Sequence, residues 1–251
     1  MKIQIIILST LILLLCSCRK ELEYPPQDET GHVTFMVESI SRNSQEGDFQ
    51  DGDAIGIFAI EPITGVYWAT NNKYVYDGNK FKPATEEDDI VVTKGTDFDF
   101  YVYYPYDPNQ NDITNISHVC IDQDTKSGWV SSDFMTATYT DAIIDYSIPL
   151  QFKHNYATVE VHVNKNDGVT AATLKNVKYS SRINLLTGQS ITEDSRINLK
   201  MYCYNANDNG NAIFRCTVPV QTLSALSNYV TLSGNTSIDL LAESDMTLSA
   251  G

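Results

Sequence analysis

Ile148-Pro-Leu-Gln-Phe-Lys-His-Asn-Tyr-Ala-Thr-Val-Glu-Val-His-Val163 decides the fold class. From Ala157 onward it alternates strictly. Ala157, Val159, Val161 and Val163 fall on one side, and Thr158, Glu160 and His162 on the other. A period of two marks a strand with one buried and one wet face. Leu150 and Phe152 form a second, shorter apolar run, and His154-Asn155 break the phase between the two. The reading is two strand segments joined by a bulge or tight corner. They form the last strand of a first domain and the bridge into a second.

The stretches on either side read the same way. His32 to Ile40 places Val33, Phe35 and Val37 against Thr34, Met36 and Glu38, a first strand. In Phe49 to Ile60, Asp51-Gly52-Asp53 makes a turn. Ile55, Ile57 and Ala59 then line one strand face, with Gly56 permitting close approach of a neighbour. Asp77-Gly78 is a hairpin signal between aromatic strands. In Asp97 to Tyr106, Phe98, Phe100 and Val102 take one face and Tyr101 and Tyr103 the other, and Pro105 ends the ladder. Such an aromatic row serves core packing first, with sugar stacking through Tyr103 or Tyr106 as the alternative.

Fifteen tyrosines and nine phenylalanines, with few long amphipathic runs, favour strands over helices. Turn residues recur at the rhythm of an all-β sandwich. At 251 residues and 42% hydrophobic content the chain can bury one large core or two small ones. A formal charge of −15 opposes nucleic acid and anionic membrane surfaces as partners.

Ile3 to Leu15 is apolar but shorter than the ~20 residues of a membrane span, and follows Lys2, which fits a signal peptide over residues 1–17. Leu15-Cys16-Ser17-Cys18 resembles a lipobox, making Cys18 the lipidated residue and the link to an outer membrane. Pro25-Pro26 and the polar residues after them read as a tether over 18–30. Further on, Asn209-Gly210 is a two-residue hairpin signal that sets Cys203 opposite Cys216. They form either a cross-strand disulfide or two free thiols, and Cys120 has no evident partner.

Four features together resemble the fimbrillin family, the Mfa-like and FimA-like lipoproteins of Bacteroides-type fimbriae. They are the Phe152-x-His-x-x-Ala-x-Val-x-Val-x-Val163 strand, the Phe49-x-x-Gly-Asp-x-Ile-Gly-Ile-Phe58 block, the strand ending Tyr104-Pro-Tyr106, and the Asp133-Phe-Met-x-Ala137 segment. The Lys20, Glu21, Glu23 pattern resembles the surface-export signal of such lipoproteins. The resemblance implies two transthyretin-like β-sandwich domains in tandem, over 31–164 and 165–251, the second short of its C-terminal strands.

It further implies that an arginine-specific protease cuts at Arg42, unless this is an ordinary solvated loop arginine. The cut releases the strand of Val33, Phe35 and Val37, and the vacated groove accepts a strand of another fimbrial subunit. The family reading is a structural or accessory subunit of a surface pilus, lipid-anchored at the outer membrane or released into fimbriae. The short C-terminus argues against a major polymerising subunit. The rival is a surface lipoprotein that binds glycan or host matrix.

No catalytic motif is present, so a non-enzyme without cofactor or metal is expected. Asp107 to Asp112 begins like a calcium loop, but Asp112 stands where glycine is required and His118 where the closing glutamate belongs.

Overall fold

The structure, a computed structural model, describes residues 29–41, 49–143, 145–164, 167–204, 211–235 and 237–250. The first part of the chain runs β1 (Thr30–His32), β2 (Thr34–Ser41), β3 (Ala54–Ile60), β4 (Tyr67–Tyr76), β5 (Phe81–Pro83) and β6 (Val91–Thr93). It continues through β7 (Asp99–Tyr104), β8 (Ile116–Val119), the short helix α1 (Lys126–Ser131), β9 (Met135–Tyr139) and β10 (Ser147–His154). Seven of these strands close into a barrel in the order β10-β2-β5-β4-β3-β7-β9, and β1 pairs separately with β6.

Closure is the departure from the expected first sandwich. It comes from β2 lying parallel to β10, Thr34 beside Ser147 and Ser41 beside Lys153. Parallel neighbours need a long crossover, and here most of the barrel is that crossover. The local readings hold inside it. Val33, Phe35, Ile55, Ile57, Ala59, Phe100 and Val102 are fully buried in one core. Asp53 N–H donates to Gln50 O at 2.9 Å and Gln50 N–H to Asp53 Oδ2 at 2.8 Å, so the acidic turn satisfies its own backbone. The Asp77 carboxylate likewise accepts from the amides of Asn79 and Lys80, with Gly78 at φ +87°.

A Cβ on Gly56 would fall against the Tyr103 ring and within 2.6 Å of Asn71 Oδ1. Tyr103 is itself pinned, so neither neighbour can yield cheaply. Gly56→Ala should therefore destabilise the protein by ~1–3 kcal/mol, the cost of overpacking, read as a lowered urea midpoint.

The second part runs β11 (Tyr156–Asn164), β12 (Val169–Lys178), β13 (Ser180–Asn184), β14 (Gln189–Thr192), β15 (Arg196–Lys200) and β16 (Tyr202–Tyr204). After these come β17 (Asn211–Pro219), β18 (Gln221–Leu223), β19 (Asn228–Gly234), β20 (Ser237–Leu241) and β21 (Met246–Leu248). Sheets β11-β17-β16 and β15-β12-β19-β20 share one core, with Ala157 and Phe214 on one side and Leu174 and Val230 on the other. The deciding stretch does turn a corner at Asn155. However, β11 pairs along its whole length with β17, so the change of sheet comes ahead of the expected boundary at 164. Its alternation is as read, with Ala157 and Val163 buried, Val159 and Val161 half-buried, and Thr158, Glu160 and His162 facing outward.

The excursion between β7 and β9 leaves the barrel for the second core. β8 pairs with β13, and Ile113, Ile116, Cys120 and Phe134 pack with Tyr156 and Cys216. Gln123, fully buried, docks its side-chain amide on both backbone groups of Thr217 at 2.7 Å each, as a missing strand neighbour would.

Candidate functional site

The strand β2 has an asymmetric seat. Along β10 it is paired throughout, with one register shift between Leu150 and Gln151. With β5 it meets only at Phe35 and Phe81. Its grip is mainly side-chain burial. Phe35 stands edge-on to Tyr74 at 5.1 Å and to Phe100 at 5.3 Å, and Val33 is fully buried beside it. Val37 is half-buried against the same core. Each fully buried side chain of this kind contributes ~1.5–3 kcal/mol. The candidate cut site Arg42 follows the last residue of β2 and lies, with the lipobox Cys18, outside the described residues.

A second feature is the open side of the C-terminal sheets. The chain passes from β15 to β16 through the single residue Met201, which puts those two strands on one side. β11 and β20, at the opposite ends of their sheets, therefore share the other side. Among the described residues β11 pairs only with β17 and β20 only with β19. Between these free edges Val159, Val161 and Leu240 are core residues left half-covered, and Ile238 and Leu241 are exposed on β20. Unpaired edge amides and carbonyls over a half-covered apolar row are what an added strand binds.

The cysteine register differs from the expected one. Cys203 faces Phe214, and Cys216 faces Val159 on the opposite neighbour. Cys120, Cys203 and Cys216 are free thiols. The expected turn residues Asn209 and Gly210 lie outside the described residues. A clamp on Arg215 accounts for the pairing. Its buried guanidinium lies 4.1 Å from the Tyr204 ring and 5.7 Å from Trp129, which stacks on Tyr202, and its Nε lies 2.6 Å from Glu160 Oε1. Setting Tyr202 opposite Arg215 keeps that clamp, and register follows burial and contacts where one face is packed. Burial pushes the thiols of Cys120 and Cys216 well up from their ordinary range. Since thiolates are the reactive form, brief iodoacetamide treatment of the folded protein should label Cys203 and spare Cys120 and Cys216, as peptide mass mapping would show.

The sugar-stacking alternative fails at Tyr103. Its ring is buried, and its hydroxyl donates to Asn71 Oδ1 at 2.7 Å while accepting from Asp107 N–H at 3.2 Å. Tyr106 is half-buried under the Lys73 ammonium, 5.4 Å from the ring centre. Asp107 spends its carboxylate on Asn109 and Gln110. Among the described residues no group of three His, Cys, Asp or Glu is placed to hold a metal, and no helix is long and apolar enough to cross a membrane.

Sequence reasoning missed a cleft of about 280 Å³ between the barrel and the β13–β14 turn, lined by Tyr101, Thr136, Thr138, Lys153, Ile183 and Leu186. Its parts come from four separate strands and a turn, each unremarkable alone.

A closed barrel joined to a two-sheet unit defines an all-β protein. More particularly, the chain belongs to the fimbrillin-like family, whose sequence model matches residues 41–251. Among solved structures it is similar to a candidate cell adhesion protein from Bacteroides ovatus, with a TM-score of 0.64 and 15% identity over 88% of each chain. Another, from Bacteroides uniformis, gives 0.62 and 16%, covering 86% of this chain and 85% of that one. A third, from Bacteroides thetaiotaomicron, gives 0.55 and 14% over 88% and 90%. At these identities the likeness establishes the shared fold. No curated protein matches the chain.

Proposed function

We propose that this chain is a surface-exposed structural or accessory subunit of a fimbrium, assembled by strand exchange. In this reading it is an outer-membrane lipoprotein anchored through Cys18, built as two transthyretin-like units in tandem and serving at a tip, cap or anchor position in cell adhesion. Cleavage at Arg42 by an arginine-specific protease frees β2, and a strand from another subunit takes its place beside β10. The observation that carries the reading is the seat of β2, with pairing along one side broken by one register shift, a single residue pair on the other, and Phe35, with Val33 just ahead of the strand, as fully buried plugs. Losing such a strand leaves a lined groove and a free β10 edge, the geometry of strand addition. The open side at β11 and β20 offers a second place for a partner strand.

The test is refilling. After proteolysis and removal of the strand, a synthetic peptide of residues 29–41 should bind the remaining chain and restore its melting temperature. Absence of binding by an otherwise folded chain would count against the reading.

A second reading, a lipoprotein that binds glycan or host matrix without polymerising, draws on the cleft beside Lys153. Tyr101 lies opposite Thr138 and Lys153 opposite Thr136, so hydroxyls, a ring and an ammonium converge there. Concave sites with a few convergent polar groups at a junction are where small ligands bind. Glycan-array binding that disappears in Lys153→Ala, with melting unchanged, would favour it.

A further inference from the structure

We infer that the hairpin tip between β3 and β4, with Val91 beside it, is a membrane-interface contact that seats the barrel on the lipid surface. The inference rests on the reading that residues 18–30 tether the chain to an outer membrane.

The chain enters the fold through β1, where His32 pairs with Val91. The Trp68 indole N–H donates to the Val91 carbonyl at 3.0 Å. The end of the molecule reached first from Cys18 is therefore the end that carries this tip.

Ile63 is 87% exposed and Trp68 56% exposed, with Val66, Tyr67 and Val91 also exposed around them. An exposed group of this kind marks an interaction surface, and tryptophan with tyrosine is the pair enriched at membrane–water interfaces.

The backbone of the tip is closed on itself. Entering a weakly hydrated interface costs most for unpaired amides, and none is left here. Glu61 N–H donates to Val66 O at 2.9 Å, and Pro62 has no donor. The amides of Ile63 and Thr64 donate to the Glu61 carboxylate at 2.9 and 2.7 Å. Gly65 N–H donates to Glu61 O at 2.8 Å, and Val66 N–H to Thr64 Oγ1 at 3.4 Å. One glutamate thus closes the loop on itself and turns Ile63 outward. The net charge of −15 disfavours anionic headgroups, so the surface expected is zwitterionic.

The chain has two tryptophans, and Trp129 is buried beside Arg215, so exposed indole emission reports Trp68. The mature protein is mixed with phosphatidylcholine vesicles whose acyl chains are brominated near the headgroup, and intact mass records acylation of Cys18. The expected result is quenching of about half of the tryptophan emission relative to unbrominated vesicles. It should be lost in Trp68→Phe, and reduced severalfold in Ile63→Asp with unchanged melting. Equal emission in both vesicles from an acylated chain overturns the membrane seat and leaves the tether standing. An unacylated chain sinks the tether reading alone. The seat is then judged with vesicles in large excess, where absence of quenching overturns it as well.

Discussion

Phe35→Ala is expected to destabilise the intact chain by ~3–5 kcal/mol, the usual cost of emptying a buried phenylalanine site. The ring is fully buried between Tyr74 and Phe100, edge-on to both, and its own backbone meets β5 at Phe81. These neighbours are anchored on β4, β7 and β5, so the site cannot collapse easily. Against a typical domain stability of ~5–15 kcal/mol the loss is a large fraction of the whole. Urea unfolding followed by far-ultraviolet circular dichroism measures it. If β2 is the strand that leaves, chains cut at Arg42 and stripped of it should unfold at one midpoint whether residue 35 was Phe or Ala. A peptide of residues 29–41 carrying the same change should bind the groove roughly a hundredfold to a few thousandfold more weakly, since each 1.4 kcal/mol is tenfold.

Acid should weaken the fold earlier than carboxylate chemistry alone would. His118 on β8 is pushed down to about 4, chiefly by burial; the Ser132 backbone bond and the charges of Asp133 and Asp107 oppose the shift. Its ring stacks on Phe134 at 5.0 Å and tilts against Tyr156 at 5.5 Å, and its Nε2 has no hydrogen-bond partner. Above pH ~6.5, the ordinary histidine value, both folded and unfolded chains hold it neutral. As pH falls from there toward about 4 the unfolded chain takes up a proton that the folded chain refuses. Stability therefore drops through that window, by up to ~3 kcal/mol, and flattens below it for this group. The depressed carboxylates, Asp107 and Asp112 among them, act at lower pH, below their ordinary values. His118→Phe removes an unsatisfied buried nitrogen. It should leave stability at pH 7.5 equal or higher and erase most of the decline between pH 6.5 and 4.5. An unchanged decline would assign it to other groups.

What could be read before the structure was local. The alternation from Ala157 to Val163, the corner at Asn155, the close approach at Gly56 and the Asp77-Gly78 hairpin each depend on residues within one strand or one turn. Barrel closure was not legible, because it pairs Thr34 with Ser147 in parallel across most of the first half. The Cys203 register escaped for a similar reason. It is set by Arg215 meeting Trp129, a residue far upstream whose short helix gives no periodic signal. The aromatic strand was read with the right parity for Phe98, Phe100 and Val102. Its Tyr103 hydroxyl is committed to Asn71, held at φ +56°, which no pattern within that strand could indicate. The candidate strand of Val33, Phe35 and Val37 was legible by family resemblance and alternation together, whereas its one-pair contact with β5 was not.

In the strand-exchange reading proposed above, a cut beside β2 readies the fold to accept another strand. The most direct measurement is limited digestion of the mature protein with an arginine-specific protease. Intact mass and N-terminal mapping follow, with unboiled denaturing electrophoresis alongside. Within the folded part of the chain the first cut is expected after Arg42, ahead of Arg182 and Arg196 and of the buried Arg215, whatever happens at Arg19 in the tether. Also expected is a product that takes up the strand of another subunit, seen as bands that resist detergent until boiled. A folded chain that stays whole at Arg42 while Arg182 or Arg196 is cut would contradict that reading.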